Sequence, residues 1–170
     1  ISVSVDGMTG GVKNSAIAII QGNLAQVAAR KTLSASVAGN SAQLDRIDEV
    51  IVNEKEATAR SLLSLQTDVN GNKASINSLN QTFSDYQQAT ATQINGITAT
   101  VNGHTSAITT NAQAIANVNG DLKAMYNIKV GVSSNGQYYA AGMGIGVENT
   151  PSGMQSQVIF LADRFAVTHQ

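Results

Sequence analysis

Residues 101–125 read VNGHTSAITTNAQAIANVNGDLKAM, and whether this stretch turns or runs straight on decides the fold. Asn-Gly, the strongest short-range turn signal, occurs in it twice, at 102–103 and 119–120. Set against those turns is a spacing of apolar residues that passes through both of them without losing step.

The spacing alternates between three and four. It runs Leu62, Leu65, Val69, Asn72, Ile76, Leu79, Phe83, Tyr86 and Thr90. After one extra step of four it resumes at Ile94, Ile97, Val101, His104, Ile108, Asn111, Ile115, Val118, Leu122 and Met125. This is the a/d pattern of a coiled coil held for about nine heptads. Leu44, Ile47, Ile51, Glu54 and Thr58 extend it upstream, and the slips at 58–62 and 90–94 read as stutters. On this register Gly71, Gly96, Gly103 and Gly120 fall on the outer face, so the Asn-Gly pairs are read as interruptions tolerated by a helix, each at about 1 kcal/mol relative to Ala.

A helix of such poor formers requires partner chains. Between Lys73 and Asp121 the only Asp, Glu, Lys or Arg is Asp85, so charges at e and g cannot select them. The β-branched a positions with mixed d positions do not decide between two strands and three; the bulky pair Phe83 and Tyr86, which needs more room than a dimer seam offers, favours three. The fold expected is mainly α: a long parallel homotrimeric coiled coil followed by a small intertwined antiparallel β module. The expected divisions are a strand-like lead-in at 1–13, an amphipathic helical segment at 14–43, a coiled-coil stalk at 44–125 and the β module at 126–170. The trimer core would be Leu62, Leu65, Val69, Ile76, Leu79, Phe83, Tyr86, Ile94, Ile97, Val101, Ile108, Ile115, Val118, Leu122 and Met125.

Composition agrees with narrow seams rather than a thick core. The 170 residues include no Cys, no Trp and one Pro, and aromatics make up 4%. With a net charge of −1 and no basic run, nothing points to nucleic acid. A wholly apolar run such as residues 16–20, which no other exceeds, falls far short of the roughly 20 residues of a membrane span. A start at Ile rather than Met is read as the mark of a piece of a longer chain.

Three polar residues, Asn72, His104 and Asn111, occupy d positions. Their main reading is control of register, with an ion site on the axis as the sharper one. GMGIG at 142–146 imitates a phosphate loop, yet a turn follows it where such a loop opens a helix. The two histidines, His104 and His169, lie in the seam and at the chain end. No nucleophile, base and orienting group can be assembled, so no enzyme, cofactor or metal is expected.

After Met125 the period becomes two. Tyr126, Ile128, Val130 and Val132 alternate with polar or small residues, and SSNG at 133–136 predicts a hairpin turn. The return strand sets Tyr139, Ala141, Met143, Ile145 and Val147 opposite Gly142, Gly144 and Gly146.

The run MYNIKVGVSSNGQYYAAGMGIGVENTPSGMQSQVIFLADRFAVTH at 125–169, with GGVKNSAIAIIQGNLAQVAAR at 10–30 and ATQINGITATVNGHTSAITTNAQAIANVNGDL at 91–122, resembles the tail tip or host-specificity proteins (protein J) of lambda-like siphophages and their prophages. The resemblance implies a homotrimer at the distal end of the tail, forming the central tail fibre. It also implies contact with other tail-tip proteins, and with a host outer-membrane receptor through residues beyond this stretch. The expected function is a structural stalk and β collar projecting the receptor-binding end. The expected place is the virion, with the host cytoplasm during assembly. The alternative reading is the stalk of a bacterial trimeric surface adhesin.

Overall fold

The computed structural model describes residues 2–5 and 8–169. Ile1, Asp6 and Gly7 of the expected lead-in, and Gln170 at the far end, lie outside the described residues. The described residues form eleven strands: β1 (Ser2–Val5), β2 (Met8–Gln21), β3 (Leu24–Val37), β4 (Asn40–Val52), β5 (Glu56–Val69), β6 (Asn72–Asp85), β7 (Gln88–Val101), β8 (His104–Asn117), β9 (Leu122–Ser134), β10 (Gln137–Thr150) and β11 (Gly153–Leu161). They pair in chain order as one antiparallel meander. At about 3.3 Å per residue and 4.8 Å between strands, the sheet is about 46 Å along the strands and about 48 Å across.

This overturns the mainly α expectation. Among the described residues there is no helix and hence no coiled coil; residues 14–43 and 44–125 lie in strands β2 to β9 and their turns. The reason lies in the backbone at the Asn-Gly pairs. A type I′ turn needs positive φ at both central residues, which Asn-Gly supplies at little cost. Asn70 and Gly71 have φ of 53° and 82°, Asn102 and Gly103 of 52° and 81°, and Asn135 and Gly136 of 53° and 75°. Ala38 and Gly39 make the same turn at 50° and 83°. At 117–121 the chain uses a three-residue loop, with Gly120 at φ 83° in the bulge position. Of the five Asn-Gly pairs only Asn95-Gly96 lies within a strand.

Turns without Gly are closed by side chains. Asn53 Oδ1 accepts the N–H groups of Lys55 and Glu56, both at 2.8 Å. Asp85 Oδ1 accepts those of Gln87 at 2.6 Å and Gln88 at 2.7 Å. These are Asx turns, in which the side chain replaces a backbone acceptor.

Register then sorts every side chain. Cross-strand partners share a face, and successive residues alternate. One continuous row crosses the sheet through Val12, Leu33, Leu44, Leu65, Ile76, Ile97, Ile108, Val130 and Ala141. Its side is called face A. A second row, Ile47, Leu62, Leu79 and Ile94, lies on the opposite side, face B. The expected seam is therefore divided, because a step of four keeps a strand residue on its face and a step of three changes it.

A stability comparison checks the turns. Gly103→Val should cost about 1–2 kcal/mol, the penalty of a side chain in left-handed backbone. Gly96→Val should be neutral or stabilising, since a Cβ there meets nothing within 4 Å and its strand gains a β-branched residue. Equal costs in urea denaturation would contradict the turn assignment.

Candidate functional site

Charge separates the two faces. On β2 to β11, Lys31, Arg46 and Asp48 are the charged side chains on face A; Lys13, Arg30, Asp45, Glu49, Glu56, Arg60, Asp68, Lys73, Asp85, Lys123, Lys129 and Glu148 fall on face B. From β5 to β11 face A carries no Asp, Glu, Lys or Arg at all.

The dry character is strongest over the last three strands. There face A presents Tyr126, Ile128, Val130 and Val132 from β9, Tyr139, Ala141, Met143, Ile145 and Val147 from β10, and Val158 and Phe160 from β11. Face B opposite them holds Gly142, Gly144 and Gly146 with Lys129 and Glu148. The alternation expected of this region is the alternation found. Face B is fastened locally: Lys129 Nζ lies 5.4 Å from the Tyr138 ring centroid, and that ring crosses Gly131, where a Cβ would sit 2.5 Å from Tyr138 Oη.

Beyond β11 the chain turns onto face A. Phe165 packs against Phe160 with ring centroids 5.3 Å apart. Residues 162–164 border a cleft of about 670 Å³ floored by Ile97, Ile108, Val130 and Tyr139.

None of these side chains is enclosed. Among the described residues no large hydrophobic is buried, and the chain exposes 12100 Å². A compact monomer of 17.6 kDa would expose about 7,900 Å². The difference is the surface of a sheet with no second layer, and its apolar part lies mostly on face A. A face this large marks an interaction surface.

The expected core residues land as follows. Leu65, Val69, Ile76, Ile97, Val101, Ile108 and Leu122 are on face A, whereas Leu62, Leu79, Phe83, Ile94, Ile115 and Met125 are on face B. Tyr86 and Val118 sit in turns. The three polar positions are not brought together within the chain. Asn72 and His104 stand just after turns on face A, and each reaches the next turn on the same edge. Asn72 Oδ1 accepts the Asn102 N–H at 3.2 Å, and His104 Nδ1 meets Ser134 Oγ at 2.9 Å. Asn40 makes the same bond to the Asn70 N–H at 2.9 Å. Asn111 instead lies mid-strand on face B between Ile94 and Asn127, and its Oδ1 has no hydrogen-bond partner. No cluster of three His, Cys, Asp or Glu that could hold a metal occurs among the described residues.

Sequence reasoning missed this clamp row. Its signal was present as Ala-Gly-Asn at 38–40, Asn-Gly-Asn at 70–72 and Asn-Gly-His at 102–104, a repeat every 32 residues.

The charged end of the sheet has its own order. Asp45 accepts from Thr32 Oγ1 at 2.5 Å, Gln43 Nε2 at 3.1 Å and Arg30 Nη2 at 3.4 Å. The Thr32 hydroxyl, more than Arg30, holds the Asp45 carboxyl below its ordinary range. Asp48 is lowered by the Ser61 hydroxyl first, and also by Arg46, 3.0 Å away.

Residues 107–170 match the family described as bacteriophage tail tip fiber protein. The match covers fewer than half of the residues of the chain and includes the part where face A is driest. No match was found among curated proteins or solved structures. The family match supports a structural, non-enzymatic role in a phage tail tip, as a virion component associated with other tail components.

Two expectations follow. Asn72→Ala, which removes a side-chain bond to the next turn, should lower stability by about 1 kcal/mol in denaturant titration. Folded-state carboxyls held below their unfolded pKa contribute stability that is complete above the unfolded value and is lost as pH falls through the folded one. Thermal stability should therefore decline on acidification below the ordinary carboxylate range, and Asp45→Asn should flatten that decline. An unchanged pH profile in the variant would contradict it.

Proposed function

We propose that the chain is a structural segment of the central tail fibre of a lambda-like phage, part of a protein J-type host-specificity protein. It works as a homotrimer with face A turned inward and face B towards solvent. Its role is to carry the receptor-binding end away from the tail body. It is assembled in the host cytoplasm and then carried in the virion.

The observation that bears most weight is the coincidence of two independent features. The stretch matched to tail tip fibre proteins is the stretch whose face A presents a largely apolar, uncharged ladder, opposite a face that carries glycines and charges. A sheet so divided gains by covering one side. The roughly 4,000 Å² exposed beyond a compact monomer's surface is of the size that obligate oligomers remove from water. The number three rests on the resemblance in residues 125–169.

Light scattering during size exclusion should give three times 17.6 kDa. Val130→Lys, which puts a charge in the middle of face A, should break the assembly, and Thr109→Lys on face B should leave it intact. A two-chain mass would keep self-association and overturn the trimer. A monomer would overturn both. For the location, an antibody against this segment should decorate the tail tip in electron micrographs of phage. Decoration of bacterial surfaces instead would favour the adhesin reading.

A further inference from the structure

The sheet is open, and its two long edges are alike in an unusual way. On β2 the pairing with β1 ends at Gly11. No strand among the described residues lies against the outer edge of residues 13–21, nor against the outer edge of β11. Both edges are nine residues long: KNSAIAIIQ on β2 and GMQSQVIFL on β11.

Tracing register across the sheet shows that they stand at the same height. Ile19 connects through Gln26, Ile51, Thr58, Phe83, Thr90, Ile115, Lys123 and Glu148 to Gln155. Lys13 connects through Thr32, Asp45, Ser64, Asn77, Gly96, Thr109, Lys129 and Gly142 to Leu161. Residues 13–21 therefore span the same levels as Leu161 back to Gly153. β1 occupies only the levels beyond residue 13, where the chain has already left β11.

Direction agrees as well. An odd number of antiparallel steps separates β2 from β11, so the two run oppositely. A rotation about an axis along the strands preserves strand direction. It would set β11 of one chain antiparallel to β2 of the next, with face A continuous on the inside.

We propose that β11 of one copy pairs edge to edge with residues 13–21 of a second copy, head to tail, so that the assembly closes on itself. The occupant is a second copy because length, level and direction match between two parts of the same chain. Nothing guards these edges. Natural edge strands are blunted by charge, proline or bulges. Here Lys13 is the only Asp, Glu, Lys or Arg in the eighteen residues, and there is no Pro among them. Ile20 is 82% and Leu161 63% exposed in the single chain. The contact is heterologous, so closure of the ring sets the copy number. The inference rests on the self-association proposed above.

Cysteine cross-linking tests it, with no native thiol to confuse the result. Ala16 and Val158 are level, as are Ser15 and Ile159, and partners across a ladder stand within disulfide reach. Adjacent pairs alternate between the two antiparallel geometries, so A16C with V158C and S15C with I159C sample both. Under oxidation each double variant should give covalent multichain species on a non-reducing gel, lost on reduction, and each single variant should stay uncrosslinked. Multimeric protein by light scattering that fails to cross-link in both double variants would overturn the edge contact and leave self-association standing. V158C or I159C linking alone would also overturn it, since like edges would then be meeting. A monomeric mass would overturn both.

Discussion

Two consecutive residues with positive φ constrain everything else in this molecule. Where Asn102 and Gly103, or Asn70 and Gly71, adopt that backbone, the chain reverses within two residues and the strands on either side must pair. Such turns match the right-handed twist of the strands they join, so each fixes a register as well as a direction. Asn40, Asn72 and His104 then tie successive turns along one edge. These turns recur about every 32 residues, and reversals of other kinds fall midway between them, so the strands come out nearly equal in length and their apolar residues line up in rows across the whole sheet.

The same regularity leaves the chain as one layer. Interior strands satisfy their backbone groups on both sides, yet among the described residues only the short segment around 162–165 folds back over the sheet. Hydrophobic burial, the main favourable contribution in folding, is thereby left incomplete within one chain. Within strands β5 to β11 charge is confined to face B, and the last three strands present mostly aliphatic and aromatic groups on face A. A structural part of a virion has a use for such a surface, because assembly then completes the core. The unguarded edges of β2 and β11 belong to the same logic: what would be a hazard in a monomer is a joint in an assembly.

Part of this was legible in the sequence. The alternation at Tyr126, Ile128, Val130 and Val132, the turn at Asn135-Gly136 and the glycine face opposite Tyr139 to Val147 could all be read directly, because there the period of two is local and uninterrupted. The region before it could not, and the reason is arithmetic. Leu44, Leu65, Ile76, Ile97 and Ile108 are separated by 21, 11, 21 and 11 residues. Three heptads span 21 and a heptad with a four-residue slip spans 11, so a row across a meander imitates a stuttered coiled coil. The two apparent stutters, at 58–62 and 90–94, are themselves 32 residues apart. That period, together with Thr-rich strands and Asn-Gly at four of the reversals, was the better signal. Asn72 and His104 were singled out as polar interruptions for a sound reason, but their place after a turn, rather than a heptad position, explains them. Asn111 has no such account; its Oδ1 lies between Ile94 and Asn127 with no hydrogen-bond partner among the described residues.

Far-UV circular dichroism of the purified chain is the most direct check on the central claim, that the Asn-Gly pairs reverse the chain and make it a sheet. The account requires a β-type spectrum with a single shallow minimum and no helical component. A strong double minimum of the helical type would mean that the heptad spacing governs after all, and would contradict the fold described here.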